Sequence, residues 1–200
     1  MTDADIIERR ILPLLYVIGG GIGLVAAFTL LVEKIELLKD PSYVPSCSIN
    51  PILSCGSIMK TSQAEAFGFP NPIIGIIGFS VLITIGVLLL NHTPFPRWIW
   101  VGLQIGTTFA VVFVHWLIFQ SLYRIDALCP YCMVVWVVTI PVFWYTTLCV
   151  MSPLIDRADA IGKFASIARR YHGAVLTSWF VAILALILIR FWDYWVTVLS

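Results

Sequence analysis

Charged residues are so widely spaced along this chain that the apolar windows between them set its architecture. Arg10 and Glu33 bracket 22 residues without Asp, Glu, Lys or Arg, "ILPLLYVIGGGIGLVAAFTLLV". Arg97 and Arg124 bracket 26 more, Asp126 and Asp156 bracket 29, and Arg170 and Arg190 bracket 19. A further run, "NPIIGIIGFSVLITIGVLLLN", extends from Asn71 to Asn91. Each is near the ~20 residues a helix needs to cross a hydrocarbon layer about 30 Å thick. Five membrane spans are therefore predicted. The glycines and prolines inside them do not argue against helix, because membrane helices tolerate both. The first window is longer than the apolar core of a cleavable signal, and "MTDADIIERR" before it is acidic as well as basic. It reads as a retained span.

Composition strengthens this reading. Of 200 residues, 60% are hydrophobic and 12% charged, about half the charge of an average soluble domain. The chain reads as an all-α polytopic membrane protein. The net charge of +1 says little about partners. The twelve Lys and Arg are scattered, which excludes a nucleic-acid footprint.

Loop charge orients the spans. With the N-terminus cytoplasmic, seven basic residues fall inside and five outside. Four of the seven lie in the segment Ser152 to Tyr171. Its piece "DRADAIGKFASIARRYH" places Ile161, Phe164, Ala165 and Ala168 on one helical stripe, as in a helix lying on the membrane surface or an ordinary connector. The expected organisation is a bundle over 1–151 with an outside loop at about 33–70. A cytoplasmic amphipathic connector follows over 152–171, then a fifth span over 172–200.

In this orientation four cysteines share the extracytoplasmic face. The first outside loop holds Cys47 and Cys55 in "PSCSINPILSCGS"; the second holds Cys129 and Cys132 in "CPYC". Cys149 lies 17 residues beyond Cys132, or about 25 Å along a helix, and reads as a buried spectator. Positions i and i+3 of a helix face the same way, so Cys129 and Cys132 can form a disulfide or stand as two thiols. Pro130 suits the first helical position. A Cys129 thiolate there would meet the positive end of the helix dipole, which lowers its pKa. Cys132 lies one turn deeper. "CGSIMKTSQAEAFGF" places Ile58, Met59, Ser62, Ala66 and Phe67 on one side of a short helix over the outer mouth, with Cys55 at its start. Zinc is disfavoured because the seven residues between Cys47 and Cys55 exceed the usual ligand spacing. A purely stapling disulfide in the first loop remains an alternative.

The ordered motifs resemble the bacterial vitamin K epoxide reductase family: a loop pair with seven intervening residues, a "FGFPNP" re-entry, then Cys-Pro-Tyr-Cys opening a later span. The likeness is to a five-span form without a fused thioredoxin-like domain, of actinobacterial type. Proteins of the disulfide-bond protein B type carry their Cys-x-x-Cys pair in the first outside loop instead of the second. The resemblance implies a four-helix bundle around a quinone, of the menaquinone kind in this branch, with the fifth span outside and no metal. It implies that Cys47 forms a mixed disulfide with a separate extracytoplasmic DsbA-type partner. Cys55 would then pass electrons to Cys129, and Cys132 would face the quinone. Asn71 matches the family's quinone-binding asparagine, and Trp136 the aromatic one turn after the second active-site cysteine. For Asn71 a helix-capping role is the alternative, and for Trp136 an interfacial belt. His115, inside the third span, could relay protons but reads first as a structural histidine, outside the catalytic set.

The function expected is a plasma-membrane thiol:quinone oxidoreductase that supports disulfide formation in exported proteins. The alternatives are a quinone or quinone-epoxide reductase fuelled by thiols, and a non-catalytic scaffold with loop disulfides.

Overall fold

The structure, a computed structural model, describes residues 6–154 and 159–199. The mixed-charge start at 1–5 lies outside the described residues, as do Asp156 and Arg157, used above to bound a window and to count charge. The described chain forms eight helices: α1 (Ile7–Lys39), α2 (Cys55–Met59), α3 (Pro72–Leu90), α4 (Arg97–Ile125), α5 (Pro130–Val150), α6 (Ala160–Arg170), α7 (His172–Arg190) and α8 (Trp192–Leu199). Five of them, α1, α3, α4, α5 and α7, are long and apolar enough to cross a membrane. The protein is thus an all-α polytopic membrane protein. Large apolar side chains such as Val25, Phe28 and Ile77 face outward, as lipid-facing positions do.

Two compact units, Met1–Val150 and Met151–Ser200, divide the chain. In the first, α1 packs against α3 and α5, and α5 against α4. Small residues allow the closest approach. A Cβ at Gly86 of α3 would lie 2.8 Å from Cβ of Tyr16 and 3.1 Å from the carbonyl oxygen of Pro13 on α1. Glycine there lets the two backbones meet, the means by which membrane helices gain packing contact without a hydrophobic driving force. Pro13 cannot donate to the preceding turn, and wider π-type turns at Ile7–Ile11 and Leu15–Gly19 flank it.

The first helix outruns its uncharged window. It continues past Glu33 to Lys39, because Leu30, Glu33, Lys34 and Leu37 form one buried stripe at helical spacing. The short helix expected after Cys55 is instead two pieces: α2, then a 3-10 turn at Ser62–Glu65. Lys60 and Thr61 separate them. Thr61 is extended, which breaks the helical path.

The second unit contains α6, α7 and α8. Asp159 caps α6, its carboxylate accepting the Gly162 N–H at 3.0 Å. Gly162, Ala165 and Ala168 are buried, whereas Ile161, Phe164 and Ile167 are exposed. The stripe expected at Ile161, Phe164, Ala165 and Ala168 therefore divides. At about 100° per residue, Ala165 sides with Gly162, and Phe164 with Ile167.

Candidate functional site: a sulfur cluster at the mouth of an apolar cavity

Where α4 ends, Asp126 adopts the left-handed conformation, with φ 56° and ψ 36°. The Ala127 N–H then bonds the Ser121 carbonyl at 3.2 Å, a helix-terminating arrangement that turns the chain sharply back. Leu128 next forms an isolated parallel bridge with Leu53. Its N–H donates to the Ile52 carbonyl at 2.7 Å, and its carbonyl accepts the Ser54 N–H at 2.9 Å. This bridge brings the first cysteine loop and the second together in fixed register, so that Cys55 and Cys129 follow it side by side.

Three sulfurs converge there. Cys47 and Cys55 form a disulfide, with Cα atoms 5.6 Å apart. Cys55 Sγ lies 3.1 Å from Cys129 Sγ. Cys129 and Cys132 are not disulfide-bonded. Cys129 precedes Pro130, the first residue of α5, and its sulfur accepts the Cys132 backbone N–H at 3.3 Å. The sulfur thus occupies the place of an N-cap oxygen. Its pKa is lowered, chiefly by the hydrogen bond from the Cys132 thiol, with help from the N–H groups of Cys132 and Tyr131. Burial opposes the shift without reversing it. A free cysteine thus stands at the helix start, buried and with its pKa lowered. Cys47, Cys55 and Cys129 are all buried, packed with Leu30, Leu37 and Met59. These three sulfurs lie within 4.8 Å of one another. With two of them joined, only one can act as a thiolate, and thiolates are what a soft metal requires.

Glu33, which closes the first apolar window, and its neighbour Lys34 hold the cysteine loop. The Glu33 carboxylate accepts the Tyr43 hydroxyl at 2.9 Å, the Ser46 N–H at 3.3 Å and the Ser46 hydroxyl at 2.5 Å. Lys34 Nζ donates to the Met59 carbonyl at 2.6 Å and pairs with Glu65 at 2.8 Å. Both residues are buried. Their signal was available in the sequence: they continue the i, i+3, i+4, i+7 stripe from Leu30 to Leu37.

Beneath the sulfurs lies a cavity of about 730 Å³, lined almost wholly by apolar side chains. Cys55, Cys129, Cys132, Asn71 and Trp136 all contribute to its wall. The α3 and α4 helices, which each pack on another helix but not extensively on one another, both line it. Their Ile77, Val81, Trp98 and Phe109 are at once lining residues and exposed ones. The cavity therefore opens sideways between these helices, toward the layer a membrane would occupy.

Asn71 stands immediately before α3 without capping it through its side chain. Its Oδ1 accepts the Ala66 N–H at 3.0 Å, and its Nδ2 donates to the Gln63 carbonyl at 2.7 Å. The other N–H of that amide bonds no group among the described residues, and Asn71 lines the cavity. Trp136 is buried one turn below Cys132. His115 Nδ1 bonds the Val111 carbonyl at 2.7 Å, and His115 is not part of the cavity wall. Cys149 is buried near the other end of α5, away from the cluster.

This arrangement sets a disulfide sulfur beside a free thiol at the mouth of an apolar cavity, the contact that thiol–disulfide exchange requires. The family model described as the vitamin K epoxide reductase family matches residues 14–147, a stretch that contains every residue of the cluster and its cavity. No curated protein matches the chain.

Proposed function

The chain belongs to the vitamin K epoxide reductase family, and on that premise we propose that it oxidises an extracytoplasmic thioredoxin-like partner of the DsbA type. Family membership makes it a membrane thiol-dependent quinone oxidoreductase. The proposal concerns direction, partner and path. One observation carries it: Cys55 Sγ, within a disulfide, touches Cys129 Sγ at 3.1 Å beside a cavity that Cys132 lines.

A partner thiolate attacks Cys47 Sγ, the Cys47–Cys55 bond breaks, and Cys55 leaves as a thiolate. The partner's second thiol then attacks its own mixed disulfide, leaving the partner oxidised and Cys47 reduced. Cys55 attacks Cys129 of a Cys129–Cys132 disulfide and expels Cys132 as a thiolate. Cys47 then attacks Cys55, restores the outer disulfide and expels Cys129. The lowered pKa of Cys129 favours its departure, since lower-pKa thiols leave faster. Two electrons have now moved inward, with the outer pair oxidised and the inner pair reduced. This is the distribution of bonds among the four cysteines here.

The residues present fit a quinone. The cavity wall is apolar, Asn71 keeps an amide N–H available to a carbonyl oxygen, and Trp136 supplies an aromatic surface. The side opening suits an isoprenoid tail. When bound, the quinone, of the menaquinone kind, accepts two electrons and two protons. Cys132, which lines the cavity, would face it, and Cys129 would re-form the inner disulfide with Cys132 as that pair gives up two electrons. The site lies on the extracytoplasmic side of the plasma membrane, with the N-terminus cytoplasmic.

The test is trapping of thiols in membranes supplied with partner and quinone. The expected result is that Cys129→Ser blocks reoxidation and leaves Cys47 and Cys55 as free thiols once their one disulfide has been spent on the partner. Intact partner oxidation in that variant would reject the path.

A further inference from the structure

We infer that Glu33 and Lys34 form a two-armed clamp that keeps Cys55 against Cys129 while the Cys47–Cys55 bond is open. This rests on the thiol relay proposed above and adds two positioning residues to it. When the outer pair is oxidised, the disulfide joins the two arms of the loop. When it is reduced, that link is gone, and this is the state in which Cys55 must attack Cys129.

Adjacent residues of α1 reach one arm each. Glu33 holds Tyr43 and Ser46, just before Cys47, through the Tyr43 hydroxyl and the Ser46 N–H and hydroxyl. Lys34 holds the segment after Cys55 through the Met59 carbonyl and Glu65. All these contacts survive scission of the sulfur bond, since none uses a sulfur atom. Both residues are buried on the stripe with Leu30 and Leu37, the same residues that pack against the cysteines. Charge-assisted bonds of this kind are the stronger class. A buried charge left without its partners is costly, so the loop is held in place rather than merely in contact.

The experiment uses the full chain in lipid nanodiscs with Cys47→Ser and Cys132→Ser, leaving Cys55 and Cys129 at the site. Equilibration in glutathione buffers gives the effective concentration of one thiol at the other, by peptide mapping of the Cys55–Cys129 disulfide. Lys34→Met and Glu33→Ala are expected to lower it roughly ten-fold or more, the scale of a lost hydrogen bond to a charged group. Lys34→Arg, which keeps the charge and donors, is expected to stay within about three-fold of the parent. Glu65→Gln, at a half-exposed position where folding is not at stake, weakens one arm alone and is expected to shift the value the same way by less.

Unchanged values in Lys34→Met and Glu65→Gln overturn the inference. So does a fall in Lys34→Arg as deep as in Lys34→Met, which would assign the lysine to packing. The assay contains neither quinone nor partner. Failure of the functional reading would appear separately, as absence of quinone-dependent thiol oxidation by the unaltered chain.

Discussion

Leu53 and Leu128 meet in a parallel bridge, although 74 residues lie between them. The contact is one rung long, with hydrogen bonds of 2.7 and 2.9 Å. Its effect is positional: it sets the register in which Cys55 and Cys129 come to lie 3.1 Å apart. A near-attack arrangement of sulfurs converts an exchange between separate loops into an effectively unimolecular step. Leu128→Pro removes the N–H given to Ile52 and strands that carbonyl, a loss of about 1–3 kcal/mol. Leu128→Ala keeps the N–H. Acid-quenched thiol trapping after a pulse of reductant should show transfer from the outer pair to the inner pair slowed roughly ten-fold or more in the proline variant. The alanine variant should remain close to the parent.

The state of Cys129 gives a pH dependence of definite sign. Its folded pKa is lowered, first by the Cys132 thiol and then by backbone N–H groups. Thiolate is therefore present at pH values below the ordinary thiol range around 8.5. A depressed pKa contributes stability that is full above the unfolded value and is lost as the pH falls through the folded one. Peptide-resolved iodoacetamide labelling of Cys129 should rise with pH to an inflection below the ordinary range. Cys132→Ala removes the largest cause and should move that inflection upward. An inflection in the same place would mean that the backbone alone sets the thiolate.

The spans were legible in the sequence because each is an apolar window of sufficient length, and the helix start at Cys129 because Pro130 announces it. The first helix runs past its apolar window for a definite reason. Glu33 is charged and closed that window, and Lys34 follows it. Here the charges are buried, their cost offset by partners on the loop. The break between α2 and the following turn left no periodic signal over so short a segment. Leu53 and Leu128 are two leucines among many; nothing local marks a pair joined across the whole bundle. Asn71 was read as either a ligand or a cap. Its side chain does not cap α3; it bonds Gln63 and Ala66, which close the loop beside the cavity that Asn71 lines.

Those two hydrogen bonds of Asn71 separate two effects in one side chain. Asn71→Ala loses both contacts and should cost about 1–3 kcal/mol in stability. Asn71→Asp keeps the acceptor for Ala66 but loses both amide donors, including the one left for the cavity. Its expected signature is a KM for a soluble quinone analogue raised roughly ten-fold, as for a buried carbonyl deprived of its donor. Thermal melting should show a smaller loss than in the alanine variant. Equal KM values for parent and Asn71→Asp would confine the residue to loop closure.

Gly23 offers a way to reshape the cavity without touching a sulfur. A Cβ placed there would fall 2.5 to 2.7 Å from three ring atoms of Phe79, closer than packed atoms can approach. Phe79 is buried and lines the cavity, so Gly23→Ala must push its ring aside. Overpacking of this kind costs roughly 1–3 kcal/mol. The expected kinetic result is weaker use of the quinone analogue, with KM raised several-fold, while exchange between Cys55 and Cys129 proceeds at the parental rate in the trapping assay. Phe79→Leu in the same chain vacates the space that the new methyl needs and should restore KM. A Gly23→Ala variant with slowed sulfur exchange and unchanged KM would show that the ring supports the cysteine loop rather than the cavity wall.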